Sequence, residues 1–255
     1  MTDFDRALDF MTRADMSGSR VEPFLFGSAV FTPELPLRHD SNYLLVDTVP
    51  ADVSAAELVE KAELVQGAAG LEHRLLFFRD AELGERFAPD LVNLGWRCDR
   101  HVIMAQRREP ERALDTRIVS EVSEADLREA RGRQILSYPW GTPEVARQLL
   151  EAKRRIPVEA RFFAVITDGA VASYGDLYLD GKVAQVDDVA TLPEHRGRGY
   201  ASAVVLRAVG EARERGAELV FLVADGEDWP KELYRRLGFD EIGANLKLLR
   251  TTTAS

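Results

Sequence analysis

The feature that most constrains this 255-residue chain is the run Ala184-Gln-Val-Asp-Asp-Val-Ala-Thr-Leu-Pro-Glu-His-Arg-Gly-Arg-Gly-Tyr-Ala-Ser202. It reads as a strand ending near Thr191, a loop turned by Pro193, and a long helix opened by Gly197 and Gly199. The helix is predicted over Arg196–Gly216, with Val204, Val205, Ala208, Val209 and Ala212 along one face. Two glycines let the backbone curve so that successive N–H groups point into one concavity. The positive end of the helix and the side chains of Arg196 and Arg198 reinforce that field, so the loop suits an anion, most naturally a phosphate. As a bare Gly-x-Gly it is equally compatible with an ordinary strand–loop–helix connection. A dinucleotide-binding turn fits poorly. Ser202 stands at the third glycine position, and only 30 residues follow Asp225, too few for the remaining strands of such a sheet.

The flanking sequence supplies a regular set of elements. Thr116–Val122 alternates like a short strand, Ser123 caps a helix running to about Leu136, and Thr142-Pro-Glu starts a second helix that ends before Pro157. Strands are predicted at Arg161–Thr167, Ala170–Leu179 and Val183–Thr191, with Asp168-Gly169 and Asp180-Gly181 as the hairpin turns. After the long helix come a strand at Glu218–Ala224, a short helix at Trp229–Leu237 and a last strand at Glu241–Leu249. Upstream, helices are expected at Asp3–Asp15, Ser54–Ala69 and Ala81–Leu94. Strands are expected there at Phe24–Phe31, Asn42–Val49, Glu72–Phe78 and Arg100–Gln106. The polar run Arg107–Thr116, with Pro110, sets a boundary near residue 112. Leu91-Val-Asn-Leu-Gly-Trp96 has the layout of Leu233-Tyr-Arg-Arg-Leu-Gly-Phe239, which suggests a diverged internal repeat.

Arg196-Gly-Arg-Gly-Tyr-Ala201 resembles the coenzyme A loop, Arg-x-x-Gly-x-Gly/Ala, of the GNAT N-acetyltransferase superfamily. Asp187-Asp-Val189 and Leu192-Pro-Glu-His-Arg196 before it, Leu233–Phe239 after it, and the element order of residues 113–250 extend the resemblance over the C-terminal 140 or so residues. It implies an α/β (α+β) chain of two GNAT-like domains, each a mixed, mostly antiparallel sheet flanked by helices. Residues 1–112 would form a degenerate, non-catalytic half, and residues 113–255 an acetyl-CoA-binding catalytic half able to keep its coenzyme affinity in isolation.

Carried over position by position, the resemblance implies that the amides of Arg196, Gly197, Arg198, Gly199, Tyr200 and Ala201 hold the coenzyme pyrophosphate. Main-chain groups of Val189, Ala190 and Thr191 would hold the pantetheine arm where their strand splays from Glu218–Ala224. Tyr234 would protonate the departing thiolate, and Asp187, or a water chain ending on it, would take the proton of a primary amine acceptor. Adjacent strand residues alternate in direction, so Asp187 and Asp188 are expected on opposite faces, with Asp188 structural. Asp228 stands near the position where the family often has a coenzyme-contacting Asn. Tyr138-Pro-Trp140 lies where family substrates enter, to grip a substrate or to cap the core. In the first half, Pro50-Ala-Asp-Val-Ser-Ala-Ala-Glu57 has no glycine pair and no arginine, so no coenzyme site is expected there. A non-catalytic acyl-CoA-binding sensor is the alternative for the whole chain.

Composition limits the partners. With 33 Lys and Arg against 43 Asp and Glu, the net charge is −10, which argues against general nucleic-acid binding. One cysteine and four scattered histidines argue against a disulfide framework or a metal site. No apolar run is long enough for a membrane span, and the acidic N-terminus is unlike a signal peptide, so the chain reads as cytoplasmic. A homodimer remains open, as does the identity of the amine.

Overall fold

The computed structural model describes residues 1–16, 18–226 and 230–251. The elements in chain order are α1 (Asp3–Met16), β1 (Arg20–Phe24), β2 (Gly27–Phe31), β3 (Tyr43–Val46), α2 (Ala55–Ala68), β4 (His73–Phe78), α3 (Ala81–Asn93) and β5 (Arg97–Gln106). There follow β6 (Val119–Val122), α4 (Glu124–Leu136), α5 (Pro143–Lys153), β7 (Glu159–Thr167), β8 (Ala170–Asp180) and β9 (Val183–Thr191). The last are α6 (Tyr200–Glu214), β10 (Leu219–Asp225), α7 (Pro230–Arg236) and β11 (Phe239–Thr251).

Local chemistry accounts for most boundaries. Ser54 and Ser123 each close a capping box, with Glu57 and Asp126, and Thr142 caps α5 ahead of Pro143. Asp168-Gly169 forms the β7–β8 turn with both residues left-handed. At the β8–β9 turn Asp180 pairs with Val183, so the two turn residues are Gly181 and Lys182, one position later than Asp180-Gly181. Phe24–Phe31 is not one strand. It is the end of β1, a turn, and β2, with Phe24 opposite Gly27. Thr116–Ile118 is a 3₁₀ turn, and only Val119–Val122 is strand.

The chain divides into two compact units that no single cut separates. The first comprises Met1–Phe10, Ile103–Ala224 and Trp229–Ile242, and the second Met11–Val102, Asp225–Asp228 and Gly243–Ser255. Strands β5 and β11 are thus each shared out between the units, which a boundary at residue 112 does not describe.

In the second unit β1, β2 and β3 are antiparallel neighbours, and β3 runs parallel to β4 across the α2 connection. The next position beside β4 is filled by Leu246–Thr251 of β11, antiparallel. Leu44, Leu58, Leu76, Phe78, Phe87, Leu91, Trp96, Leu246 and Leu248 form its main core under α2 and α3.

The first unit has the antiparallel series β6-β7-β8-β9, then β10 parallel to β9, then β5 as the neighbour of β10. Helix α6 buries Val204, Val205, Ala208 and Ala212, while Leu127 and Ala130 of α4 pack with Ala164, Tyr174 and Leu192. The Leu-Gly-aromatic corners match in geometry as well as in letters. Gly95 and Gly238 are both left-handed, and Trp96 and Phe239 are both buried. What differs from a simple tandem is the use of the strands after them: β11 lies beside β4, and β5 lies beside β10.

Candidate active site

The site grows from the end of β9. Parallel pairing between β9 and β10 runs from Val183 opposite Leu219 to Val186 opposite Leu222. Beyond it Asp187–Thr191 continue β9 without a partner residue on β10, so the two strands diverge. Val189, Ala190 and Thr191 all lie on this diverging stretch. On its other side, β9 stays paired with β8, with Asp176 opposite Asp187, Tyr174 opposite Ala190 and Ser173 opposite Thr191. Between these pairs Asp188 and Val189 face the single residue Gly175, which is a bulge, and Asp188 takes a left-handed φ of 51°. A Cβ on Gly175 would come within 2.8 Å of Val204 Cγ1, so this glycine lets α6 lie close against the bulge. The Ala190 carbonyl accepts from the Ser173 hydroxyl at 2.8 Å, and the Thr191 carbonyl accepts from Arg196 Nε at 3.3 Å.

The bulge overturns the expected alternation at the paired acids. Asp187 and Asp188 do not point to opposite faces: both carboxylates lie beside the ammonium of Lys153, at 3.2 and 3.4 Å. Lys153 also reaches Asp176 at 3.1 Å, and Arg131 joins Asp176 and Asp188, the latter at 3.1 Å. Tyr178 donates to Asp176 at 2.6 Å. The Asp176 and Arg131 side chains are almost wholly enclosed, at 0% and 2% exposure, whereas those of Asp187 and Asp188 keep 40% and 32%. Burial pushes the Asp188 carboxyl up to about 6, against the opposing pull of Lys153 and with help from Asp176 and Asp187. For Lys153 burial acts against the charge, yet Asp188, Asp176 and Asp187 outweigh it and hold the ammonium well above its ordinary range.

Tyr234, on α7, has its phenol raised to about 12 by burial and then by the negative charge of Asp187. The structure therefore brings Tyr234 and Asp187 within electrostatic reach of one another. Its ring lies tilted against Phe239, 6.2 Å between centroids.

The glycine loop follows. Gly197 and Gly199 have φ of 76° and 79°, and nothing lies within 4 Å of where a Cβ would stand on either. Gly199 is the N-cap of α6 and supplies no side-chain cap, unlike Ser54, Asp80, Ser123 and Thr142 at other helices. The first-turn N–H groups of α6, at Tyr200 and Ala201 among them, have no intrahelical acceptor. Arg196 and Arg198 are exposed on this loop. Asp228 lies outside the described residues.

In the second unit the corresponding corner is built the other way. The Arg86 guanidinium donates to the carbonyls of Val49, Pro50, Ala51 and Val53, and Ser54 and Glu57 satisfy the start of α2. Tyr138 and Trp140 stack on each other at 4.8 Å with planes 8° apart. Both are exposed, so they do not cap the core.

Sequence reasoning missed Arg131, Lys153, Asp176 and Tyr178. A signal for one of them was present: Leu127, Ala130, Arg131 and Gln134 form the buried i, i+3, i+4, i+7 stripe of α4, and a charged residue in such a stripe implies an enclosed partner.

Among the described residues no helix is long and apolar enough to cross a membrane, and no group of three or more His, Cys, Asp or Glu side chains is placed to hold a metal ion.

Comparison with known proteins bears on the same region. Residues 124–239 match the Acetyltransferase (GNAT) family. Streptothricin acetyltransferase of Streptomyces lavendulae is 30% identical over 96 residues, which are 36% of this chain and 51% of that protein, so the match spans about half of the relative. The uncharacterized N-acetyltransferase CgeE of Bacillus subtilis (strain 168) is 24% identical over 217 residues, covering 82% of this chain and 73% of its own. A GCN5-related N-acetyltransferase from Kribbella flavida shares the fold over 98% of this chain and 95% of its own, with a TM-score of 0.59 at 19% identity. The likeness to the GNAT acetyltransferase family is thus carried by residues 124–239, the stretch that holds β9, the glycine loop and Tyr234.

Proposed function

We propose that this chain transfers an acetyl group from acetyl-CoA to a primary amine by direct attack, with one donor site per chain. The observation that carries the proposal is the divergence of β9 from β10 beyond Val186, leading into a helix whose start is left uncapped by a left-handed glycine. An uncapped helix start preceded by two left-handed glycines and flanked by arginines supplies amide donors and positive charge to a pyrophosphate. The open edge of Val189, Ala190 and Thr191 supplies main-chain groups to an extended arm.

In this reading Tyr234, neutral at working pH, protonates the sulfur as it leaves, and Asp187 or a water chain ending on it takes the proton of the acceptor. Acceleration comes chiefly from holding amine and thioester together. Among the described residues, the three carboxylates Asp176, Asp187 and Asp188 exceed the cations Arg131 and Lys153 that contact them by one, a balance that favours an acceptor arriving as a cation. The second unit is proposed to be structural, because Arg86 occupies its loop with a positive group bound to carbonyls and its helix start is already capped.

The test combines acetylation assays over an amine panel with coenzyme A calorimetry. Turnover on at least one amine, with a stoichiometry near one, is expected. Binding without turnover on any amine favours the acyl-CoA sensor, and a stoichiometry of two would give the second unit a phosphate site.

A further inference from the structure

Lys153 stands at the end of α5 and contacts three carboxylates with one ammonium, at 3.1 Å to Asp176, 3.2 Å to Asp187 and 3.4 Å to Asp188. As a stability device this arrangement is weak, since enclosing charges costs about as much as their attraction returns. Its placement suits another role. Asp176, at 0% exposure, anchors the enclosed side, while Asp187 and Asp188 open outward where β9 leaves β10. The ammonium bridges the two sides and holds a pair of like charges next to each other across the bulge. Among the described residues, Arg131 from α4, Tyr174 and Tyr178 from β8, and Tyr234 from α7 also face this pair.

We propose that Lys153 is a positioning residue of the acyl transfer: its ammonium fixes the Asp187 and Asp188 carboxylates at the divergence of β9 and β10 and sets the pH at which the pair accepts the acceptor's proton. The proposal rests on the acetyltransfer reading above. In the step it serves, an acceptor ammonium gives one proton to the carboxylate pair and becomes a neutral amine. The nitrogen lone pair forms the N–C bond, the C–S bond breaks, and the sulfur takes the Tyr234 proton. The second amine proton leaves as the amide forms and restores the phenol through solvent, while the pair returns its own proton to water. Atoms and charges balance with one proton released per turnover.

The sign of the pH effect is fixed. A base must be unprotonated to act, and the Lys153 charge holds the pair's protonation down. Lys153→Gln keeps hydrogen-bond donors but removes the charge, so the acidic limb of kcat/KM should move up by about 1–3 pH units. Lys153→Arg should restore it. Coenzyme A affinity by calorimetry should stay within about threefold in both, reporting an intact donor site. A limb unmoved in Lys153→Gln, or lost to the same extent in Lys153→Arg, overturns the proposal.

The carboxyl titration of ¹³C-labelled aspartates, assigned with Asp187→Asn and Asp188→Asn, reads the same coupling without turnover. In the wild-type protein the Lys153 Nζ resonance should shift in step with the carboxylate pair, whether or not Lys153→Gln folds. A Lys153 signal flat through that titration overturns the proposal. A wild-type protein that acetylates no amine overturns instead the acetyltransfer reading, leaving the titration to judge the linkage by itself.

Discussion

Tyr234 carries a phenol raised to about 12, with Asp187 among the causes, so it stays protonated throughout the range in which an amine can be acylated. If it delivers that proton to the leaving sulfur, Tyr234→Phe lowers kcat by roughly 10²–10⁴-fold while coenzyme A affinity is kept. Steady-state kinetics beside calorimetry checks this, and a near-normal kcat assigns Tyr234 to packing against Phe239. At this scale the sequence was only partly legible. The identities of Tyr234, Asp187 and the loop glycines stood out, but the direction of Asp188 did not. Strict alternation is the default for consecutive strand residues, and what breaks it is a bulge opposite Gly175 together with the close approach of Val204, three segments of chain that no local pattern connects. The Lys153 contacts were hidden for the same reason, since they depend on where the end of α5 meets two strands.

Single elements carry two further expectations. At the start of α6, Gly199 holds a φ of 79° with open space around its missing Cβ. The Cβ of a Gly199→Val variant therefore meets no protein atom, but the change forces a β-branched residue into a left-handed conformation and places bulk in front of the amides. Coenzyme A binding by calorimetry should be lost while the far-ultraviolet circular dichroism spectrum is retained, and unchanged affinity would remove the loop from the site.

In the second unit, β4 begins with His73, whose ring lies 4.1 Å from that of His39 and whose Nε2 donates to the Asn42 carbonyl at 2.9 Å. Burial first, and then the charge of His39, lowers His73 to about 4; burial, then Lys247, lowers His101 to about 4 as well. An unfolded histidine binds its proton near 6.5, so between that pH and 4 the unfolded chain holds more protons, and stability falls as pH falls. Urea unfolding should show this loss between pH 7 and 4.5, and His73→Gln should shrink it by about 2–3 kcal/mol. An equal loss in that variant would show that His73 does not contribute. Helix starts and hairpin turns were readable because each is set by one or two residues, such as Ser54 with Glu57 or Asp168 with Gly169.

At the scale of the molecule, the compact units do not follow the order of the chain. Met1–Phe10 belongs with Ile103–Ala224, and the end of β11 belongs with β4. A fragment 113–255 therefore lacks α1 and β5, leaving the edge of β10 and the ring of Phe221 uncovered. It is expected to aggregate on expression and to lose coenzyme A binding, contrary to what a cut at residue 112 implies; a soluble fragment with native affinity would restore the simple tandem picture. The exchange of strands was not legible because β5 and β11 follow near-identical Leu-Gly-aromatic corners, so either could serve beside β4 or β10 on local grounds. The pairing of Phe10 with Phe221, edge to face at 5.6 Å, also bears on how the protein is made. Helix α1 leaves the ribosome about two hundred residues ahead of the strand that carries Phe221, roughly 10 to 40 s at ordinary rates of synthesis. During that interval its apolar face, with Ala7, Leu8 and Phe10, has no native cover, so translation speed and chaperone supply should govern the yield of active protein more than the stability of the finished fold.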